Sequence, residues 1–355
     1  MAIIIKYFSY YFIIFLQFIK KLLFLFQFSH HPLSCCDHRP NTLENEIITK
    51  ISIMLTNSQY KKEWVSSEFL TTIIKEMIYG GYFIALLGPS LVIATSIITG
   101  ANLSVPLLII SYLIPLMVYS FDYYRDMDKD KSNNQDRVEH LYQKKKVYPY
   151  ILLCYISILA LLLLFFTNWM MISYILFLVL VGFVYSFGVK RLTKKVAAFK
   201  NIYTVFIWSL AGSFSVAFFY GFTPNLIYML IFLAIFLKML PNAIFFDLKD
   251  IKSDAKEGLK TIPVLIGKAE TLKLLESMNI LAFVPLFIGI YLGIIPIFTS
   301  ILIVFVFYSL YYLRKIRTIK DDKMKIDYNI LADAEFILWP VVLFIGEILF
   351  LNLHI

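Results

Sequence analysis

From residue 79 onward the chain alternates between long apolar stretches and polar connections. The stretches fall near 79–99, 104–122, 147–166, 169–188, 199–220, 224–246, 272–292, 295–313 and 331–353. Each is long enough for a helix to cross a hydrocarbon layer of about 30 Å. They predict an all-α polytopic membrane protein, a bundle of nine transmembrane helices. The connections are of two kinds. Those near 100–103, 167–168, 221–223 and 293–294 are short and contain no Lys or Arg, whereas those near 123–146, 189–198, 247–271 and 314–330 are long and rich in both. Positive loops stay on the cytoplasmic side. The expectation is therefore a multi-pass protein of the cell membrane, with its charged loops and the mouth of a central cavity facing the cytoplasm.

Residues 1–28 are apolar but interrupted by Lys6, Gln17, Lys20 and Lys21, a pattern that suits an additional membrane-associated helix. No small-residue cleavage site follows it, and a start codon placed upstream would also account for it. With the polar linker after it, this segment forms an N-terminal extension over 1–69, leaving 70–355 as the transmembrane domain. Composition agrees with lipid as the solvent. The chain is 60% hydrophobic and 16% charged, with a mean hydropathy of +0.76, whereas soluble domains carry about a quarter charged residues. The net charge of +9 is accounted for by the cytoplasmic loops and calls for no nucleic-acid partner. Cys35, Cys36 and Cys154 suggest no disulfide framework. His30, His31, Cys35, Cys36 and His38 match no tetrahedral zinc spacing well.

Two acidic clusters sit at the cytoplasmic ends of the second and sixth segments. The first runs Asp122-Tyr123-Tyr124-Arg125-Asp126-Met127-Asp128-Lys129-Asp130. On a continuing helix Asp122, Asp126 and Asp130 recur every fourth residue and share a face. The second contains Asp247, Asp250 and Asp254, whose spacings of three and four do the same. Stacked carboxylates repel one another unless a cation lies between them, and a hard divalent ion with oxygen ligands meets that need. Two such triads across one cavity could hold Mg²⁺, which completes its shell with water and substrate phosphates, so a diphosphate is the ligand they suit. Arg137 follows the first cluster, Lys260 follows the second, and Tyr185, Lys190, Lys194, Lys195 and Lys200 surround the loop after the fourth segment. Their charges could neutralise a diphosphate or merely mark the cytoplasmic side. Asn242, about a turn before the second cluster, could serve the same ligand or bond a neighbouring helix.

These motifs resemble those of the UbiA superfamily of intramembrane prenyltransferases. Asp247, Asp250 and Asp254, followed by Gly258, Lys260, Thr261, Pro263 and Gly267, are similar throughout to that family's second motif. In the first motif, Asp126, Asp130, Asn133 and Arg137 fall in register. Asp122 occupies the family's Asn position, Tyr123 replaces its first Asp, and Asn134 and Gln135 replace an Arg-Pro. Tyr185 and Lys190 look like the family's Tyr…Lys pair, one residue further apart. The resemblance covers roughly residues 70–353. It implies Mg²⁺ held by Asp122, Asp126, Asp130, Asp247, Asp250 and Asp254 as the catalytic set. Diphosphate binding would fall to Asn133, Arg137, Tyr185, Lys190, Asn242 and Lys260. It further implies an allylic polyprenyl diphosphate donor that ionises to a carbocation, and an aromatic, quinone-precursor-like or lipid acceptor.

Two other classes compete with this one. Carboxylates within a membrane also mark transporters and ion pathways, but those place charge near the midplane or in repeat-related broken helices, whereas these acids crowd one surface. A non-catalytic membrane scaffold leaves the density of motifs unexplained. Asp333 and Glu335 open the last apolar segment. There acids suit a helix N-terminus or could line the cavity mouth, and capping is the favoured reading.

Overall fold

A main-chain amide in hydrocarbon has no water to bond, so each apolar segment satisfies its hydrogen bonds within a helix. The computed structural model describes residues 67–127, 135–185, 192–317 and 326–352. Among them no strand occurs. The α-helices are α1 Ser67–Tyr79, α2 Tyr82–Thr99 (interrupted at Leu86), α3 Val105–Asp126, α4 Gln135–Tyr142, α5 Tyr148–Phe166, α6 Trp169–Val184 and α7 Phe199–Phe219. Then follow α8 Leu226–Phe246, α9 Ile251–Glu257, α10 Ile262–Leu281, α11 Val284–Tyr291, α12 Val304–Arg317 and α13 Ile326–Asn352. The N-terminal extension lies outside the described residues up to position 66.

Eight spans among the described residues are long and apolar enough to cross a membrane. The segment expected at 169–188 forms α6, 16 residues long. Asn168 caps its start, the side-chain oxygen accepting from the Met171 amide at 2.9 Å. The span expected at 272–292 begins earlier, at Ile262. Pro263 fits a first helical turn, and the chain bends at Gly267 (φ 77°, ψ 164°) instead of ending there. The last helix also starts early, at Ile326. Asp333 and Glu335 therefore lie two turns inside α13, not at its N-terminus, and capping does not explain them.

Lipid supplies little drive for helices to associate, so close backbone approach and polar bonds between helices do more of the work. A Cβ added to Gly88 would lie 2.0 Å from the Ser111 carbonyl oxygen, so α2 and α3 touch backbone to backbone there. Thr95 donates to the Gly212 carbonyl at 2.8 Å, joining α2 to α7, and Tyr174 donates to the Leu210 carbonyl at 2.7 Å, joining α6 to α7. Outward faces remain apolar: Leu164, Phe165, Trp169 and Leu180 are exposed, as lipid contact requires.

The most costly of these contacts is ionic. Lys238 of α8 lies 2.5 Å from Glu335 Oε1 of α13, each side chain 1% exposed. The ammonium also donates to Ser309 of α12 at 2.6 Å and to Asn279 of α10, and sits 5.6 Å from the centre of the Phe283 ring. Four helices thus meet at one buried pair. Removing one partner leaves an uncompensated buried charge, which costs about 3–5 kcal/mol. Lys238→Met and Glu335→Gln are each expected to lower the unfolding midpoint in detergent strongly, and Lys238→Met/Glu335→Leu together to recover most of the loss. A thermal-unfolding series of the three variants checks this.

Candidate active site

Helix α3 delivers the first acidic cluster at its C-terminal end, where Asp126 is buried and Asp122 partly so. Arg125 lies between them. Its Nη2 is 2.9 Å from Asp122 Oδ1 and 2.8 Å from Asp126 Oδ2, and its Nε donates to Asp126 Oδ1 at 3.1 Å. The repulsion expected of adjacent carboxylates is relieved from within the cluster itself. Asp128, Asp130 and Asn133 lie outside the described residues.

The second cluster departs from the single continuous helix face that its spacing predicts. After Phe246 the chain tightens into a 3₁₀ turn over Asp247–Lys249. Asp250 leaves helical geometry (φ −103°, ψ 11°), and α9 begins at Ile251. Asp247 and Asp254 are nevertheless brought together by a residue from another helix. Lys200 Nζ of α7 lies 2.8 Å from Asp247 Oδ1 and 3.1 Å from Asp254 Oδ2. The neighbouring Asn201 donates to Asp247 Oδ2 and to the Ala243 carbonyl, both at 2.9 Å. Asp250 remains half-buried at the bend.

Lys200 is held in place by the chain around it. Its amide donates to Thr193 Oγ1 at 3.1 Å, the Lys260 amide to the Thr193 carbonyl at 2.9 Å, and the Ala198 amide to the Lys260 carbonyl at 2.9 Å. Lys260 takes part in these bonds through its main chain, while its side chain is exposed. Asn242 donates to the Ala332 carbonyl of α13 at 2.8 Å, so its amide nitrogen joins helices. Lys190 lies outside the described residues.

Tyr185, at the end of α6, connects the two clusters. Its hydroxyl lies within electrostatic reach of Lys200, Asp122 and Asp247, and its ring stacks on Tyr203 with centroids 5.8 Å apart. Arg137 of α4 lies over the Tyr123 ring, 4.4 Å from its centre. Helix α4 is tied to α1 by Glu76, which pairs with His140 Nε2 at 2.7 Å and with Lys144. Burial works to raise the Glu76 carboxyl, but its hydrogen bonds with Lys144 and His140 outweigh it and hold it below the usual carboxylate value.

Behind Asp122 and Tyr185 an apolar cavity of about 90 Å³ runs between α2, α3, α6 and α7. Thr204, Trp208, Ala211 and Ser215 line it along α7, and Tyr119, Pro115 and Ser111 along α3. At a rise of 1.5 Å per residue, the eleven-residue steps from Thr204 to Ser215 and from Asp122 to Ser111 both give a depth of roughly 16 Å. The cavity is acidic at one end and apolar along its length.

Among the described residues no three acidic, His or Cys side chains converge into a metal cage. The carboxylates occur as two pairs, Asp122 with Asp126 and Asp247 with Asp254. Mg²⁺ commonly takes one or two carboxylates and completes its shell with phosphate oxygens and water, so hard oxygen donors in pairs fit it as the partner of a bound phosphate. Sequence reasoning undervalued two residues. Arg125 was legible as a helical neighbour of Asp122 at i+3. Lys200 carried no signal separating it from the topology-setting lysines around it.

The sequence model of the UbiA prenyltransferase family matches residues 81–331. A UbiA homolog from Aeropyrum pernix K1 shares the fold, with a TM-score of 0.54 at 11% identity, covering 75% of this chain and 97% of its own. A UbiA homolog from Archaeoglobus fulgidus, bound to GPP and Mg²⁺, gives a TM-score of 0.53 at 17% identity, covering 76% and 98%. A digeranylgeranylglyceryl phosphate synthase structure gives 0.50 at 15% identity, covering 79% and 97%. A search of curated proteins finds no match.

The Lys200 bridge generates a direct test. With Lys200→Met, Asp247 and Asp254 face each other without a cation. The unfolding midpoint in chelator is expected to fall, with Lys200→Met/Asp247→Asn recovering it. Differential scanning of the three proteins measures both effects.

Proposed function

The chain belongs to the UbiA prenyltransferase family, and we propose that it transfers a prenyl group from an allylic prenyl diphosphate to an aromatic, quinone-precursor-like or lipid acceptor. One observation carries this reading: Asp122 and Tyr185 line one end of an apolar cavity, and the Tyr185 hydroxyl lies within electrostatic reach of Asp122 from the first cluster and Asp247 from the second. A prenyl diphosphate has the same polarity, a polyanionic head on an apolar tail.

In this reading the tail lies in the cavity between α3 and α7, and the diphosphate lies at the acidic mouth. Asp122, Asp126, Asp247, Asp250 and Asp254 would hold Mg²⁺, with Asp130 completing the set. Bound there, the metal supplies Lewis-acid neutralisation of the departing diphosphate. Arg137, Tyr185 and Lys190 donate to the diphosphate oxygens as negative charge builds on them, with Lys200 adding its charge. Asn133 would join them, and Lys260 and Asn242 are less direct, since they make structural bonds through their main chain and amide. The apolar wall excludes the water that would quench an allylic cation. Tyr119 and Trp208, both lining the cavity, offer aromatic faces towards it.

Orientation and organisation follow from the same reading. The connections at the end opposite the acids contain no Lys or Arg, which supports a cytoplasmic mouth and residence in the cell membrane. The family match begins at residue 81, which supports residues 1–69 as an extension outside a catalytic domain spanning 70–355.

The test is diphosphate release and prenyl transfer by the purified chain in lipid, with geranyl diphosphate as donor and a panel of phenolic and lipid-alcohol acceptors. Activity should require Mg²⁺ and disappear with EDTA. Asp250→Ala and Asp254→Ala should each lower it by at least about a hundredfold without unfolding the protein. Release unaffected by these changes would remove the second cluster from the chemistry. Cavity depth gives a separate expectation: Ala211→Leu should reduce turnover of long donors far more than of dimethylallyl diphosphate, read as the ratio of the two kcat/KM values.

A further inference from the structure

The side chain of Asn201 is engaged at one end and idle at the other. Its amide nitrogen donates twice to α8 and the turn that follows it, to the Ala243 carbonyl and to Asp247 Oδ2, both at 2.9 Å. A carbonyl can only accept, so the nitrogen end must face Ala243 and the oxygen end must face away. That oxygen is buried, and among the described residues it accepts no hydrogen bond. A buried acceptor without a donor costs stability. Packing alone would be served better by an apolar side chain of this size, so what Asn201 contributes is its two donations.

The end of α8 calls for both. In a continuing helix the Asp247 amide would bond the Ala243 carbonyl four residues back. Here the chain tightens into its 3₁₀ turn, and that amide bonds Ile244 instead. Ala243 is left with a carbonyl that the helix does not satisfy, and Asn201 caps it from α7. The cap pins the amide at a second point, so the hydrogen offered to Asp247 comes from a fixed direction. The other oxygen of Asp247 is held differently. Lys200 Nζ lies 2.8 Å from Oδ1 and also bonds Asp254, and its ammonium sits on a flexible four-carbon stem. Oδ2 thus has a rigid neighbour and Oδ1 an adjustable one.

A carboxylate can meet a cation with one oxygen or with two. Ca²⁺ takes about six to eight oxygens in flexible geometry and accepts both oxygens of one carboxylate, whereas Mg²⁺ demands a near-ideal octahedron. With Oδ2 committed to Asn201, Asp247 has Oδ1 to offer. We propose that Asn201 is a positioning residue that limits Asp247 to one metal-binding oxygen and thereby favours Mg²⁺ over Ca²⁺. The proposal rests on the reading of the second cluster as a Mg²⁺ site. Bonds that orient a metal ligand from behind commonly shift metal affinity by about 10–100-fold.

Metal competition on the full chain in lipid tests it. Bound Mn²⁺ is followed by electron paramagnetic resonance and displaced by Mg²⁺ or by Ca²⁺. Asn201→Leu keeps the volume and removes both donations, while Asn201→Ser stays polar but is too short to reach Asp247. In each, the ratio of Ca²⁺ to Mg²⁺ affinity should rise about tenfold or more over the wild type. Infrared difference spectra of the Ca²⁺-loaded proteins give a second readout. The antisymmetric and symmetric carboxylate stretches lie far apart when one oxygen binds a cation and close together when both do. Asn201→Leu should show a closely spaced pair absent from the wild type and from Asn201→Leu/Asp247→Asn. An unchanged ratio in both variants, an equal loss of both affinities, or no closely spaced pair would each overturn the proposal, the equal loss by making Asn201 a packing residue only. The reading beneath it fails separately: Asp247→Asn binding Mn²⁺ as tightly as the wild type would remove Asp247 from metal binding.

Discussion

An ion pair in hydrocarbon holds only when its geometry is good and its remaining valences are filled, and Lys238 with Glu335 meets both conditions. The pair fixes the register of α8 against α13, while Asn279 and Ser309 bring α10 and α12 to the same point. One turn along α8, Asn242 bonds the α13 backbone at Ala332. Beyond it the helix gives way to Asp247 and the bend that forms the second cluster. A slip by one residue between α8 and α13 would separate these contacts together. The placement of the acids thus depends on a pair that takes no part in the chemistry proposed for them.

The two clusters solve one electrostatic problem by different routes. In the first the cation is local, since Arg125 lies on the same helix turn as Asp122 and Asp126. In the second it is imported, since Lys200 reaches across from α7 to Asp247 and Asp254. Local neutralisation needs only a helix. Imported neutralisation needs α7 and α8 correctly packed, so the second cluster assembles only with the tertiary fold.

Much of this helical architecture was legible in the sequence because hydrocarbon imposes a simple rule: apolar stretches of spanning length separated by polar connections. The family relationship was legible in Asp247, Asp250, Asp254 and the residues after them. What the sequence could not show were pairings between distant positions. Lys238 lay inside an apolar run and Glu335 near the presumed start of one, with nothing to connect them. The helix face assumed for Asp247, Asp250 and Asp254 failed at the 3₁₀ turn, where tertiary packing overrode the spacing. Lys200 looked like one lysine among several because only the fold aims it.

The resident cations have a thermodynamic consequence. A carboxylate pair that already holds an ammonium or guanidinium offers a free divalent ion less than a bare pair would, because part of its charge is spoken for. On the proposed reading, a diphosphate at the mouth gives Lys200 a second anionic partner and leaves Asp247 and Asp254 more open to a metal. Metal and donor then bind as mutually dependent ligands, and by linkage each must sharpen the affinity for the other by the same factor. A single dissociation constant for either one, quoted without the concentration of its companion, would describe no intrinsic property of this protein.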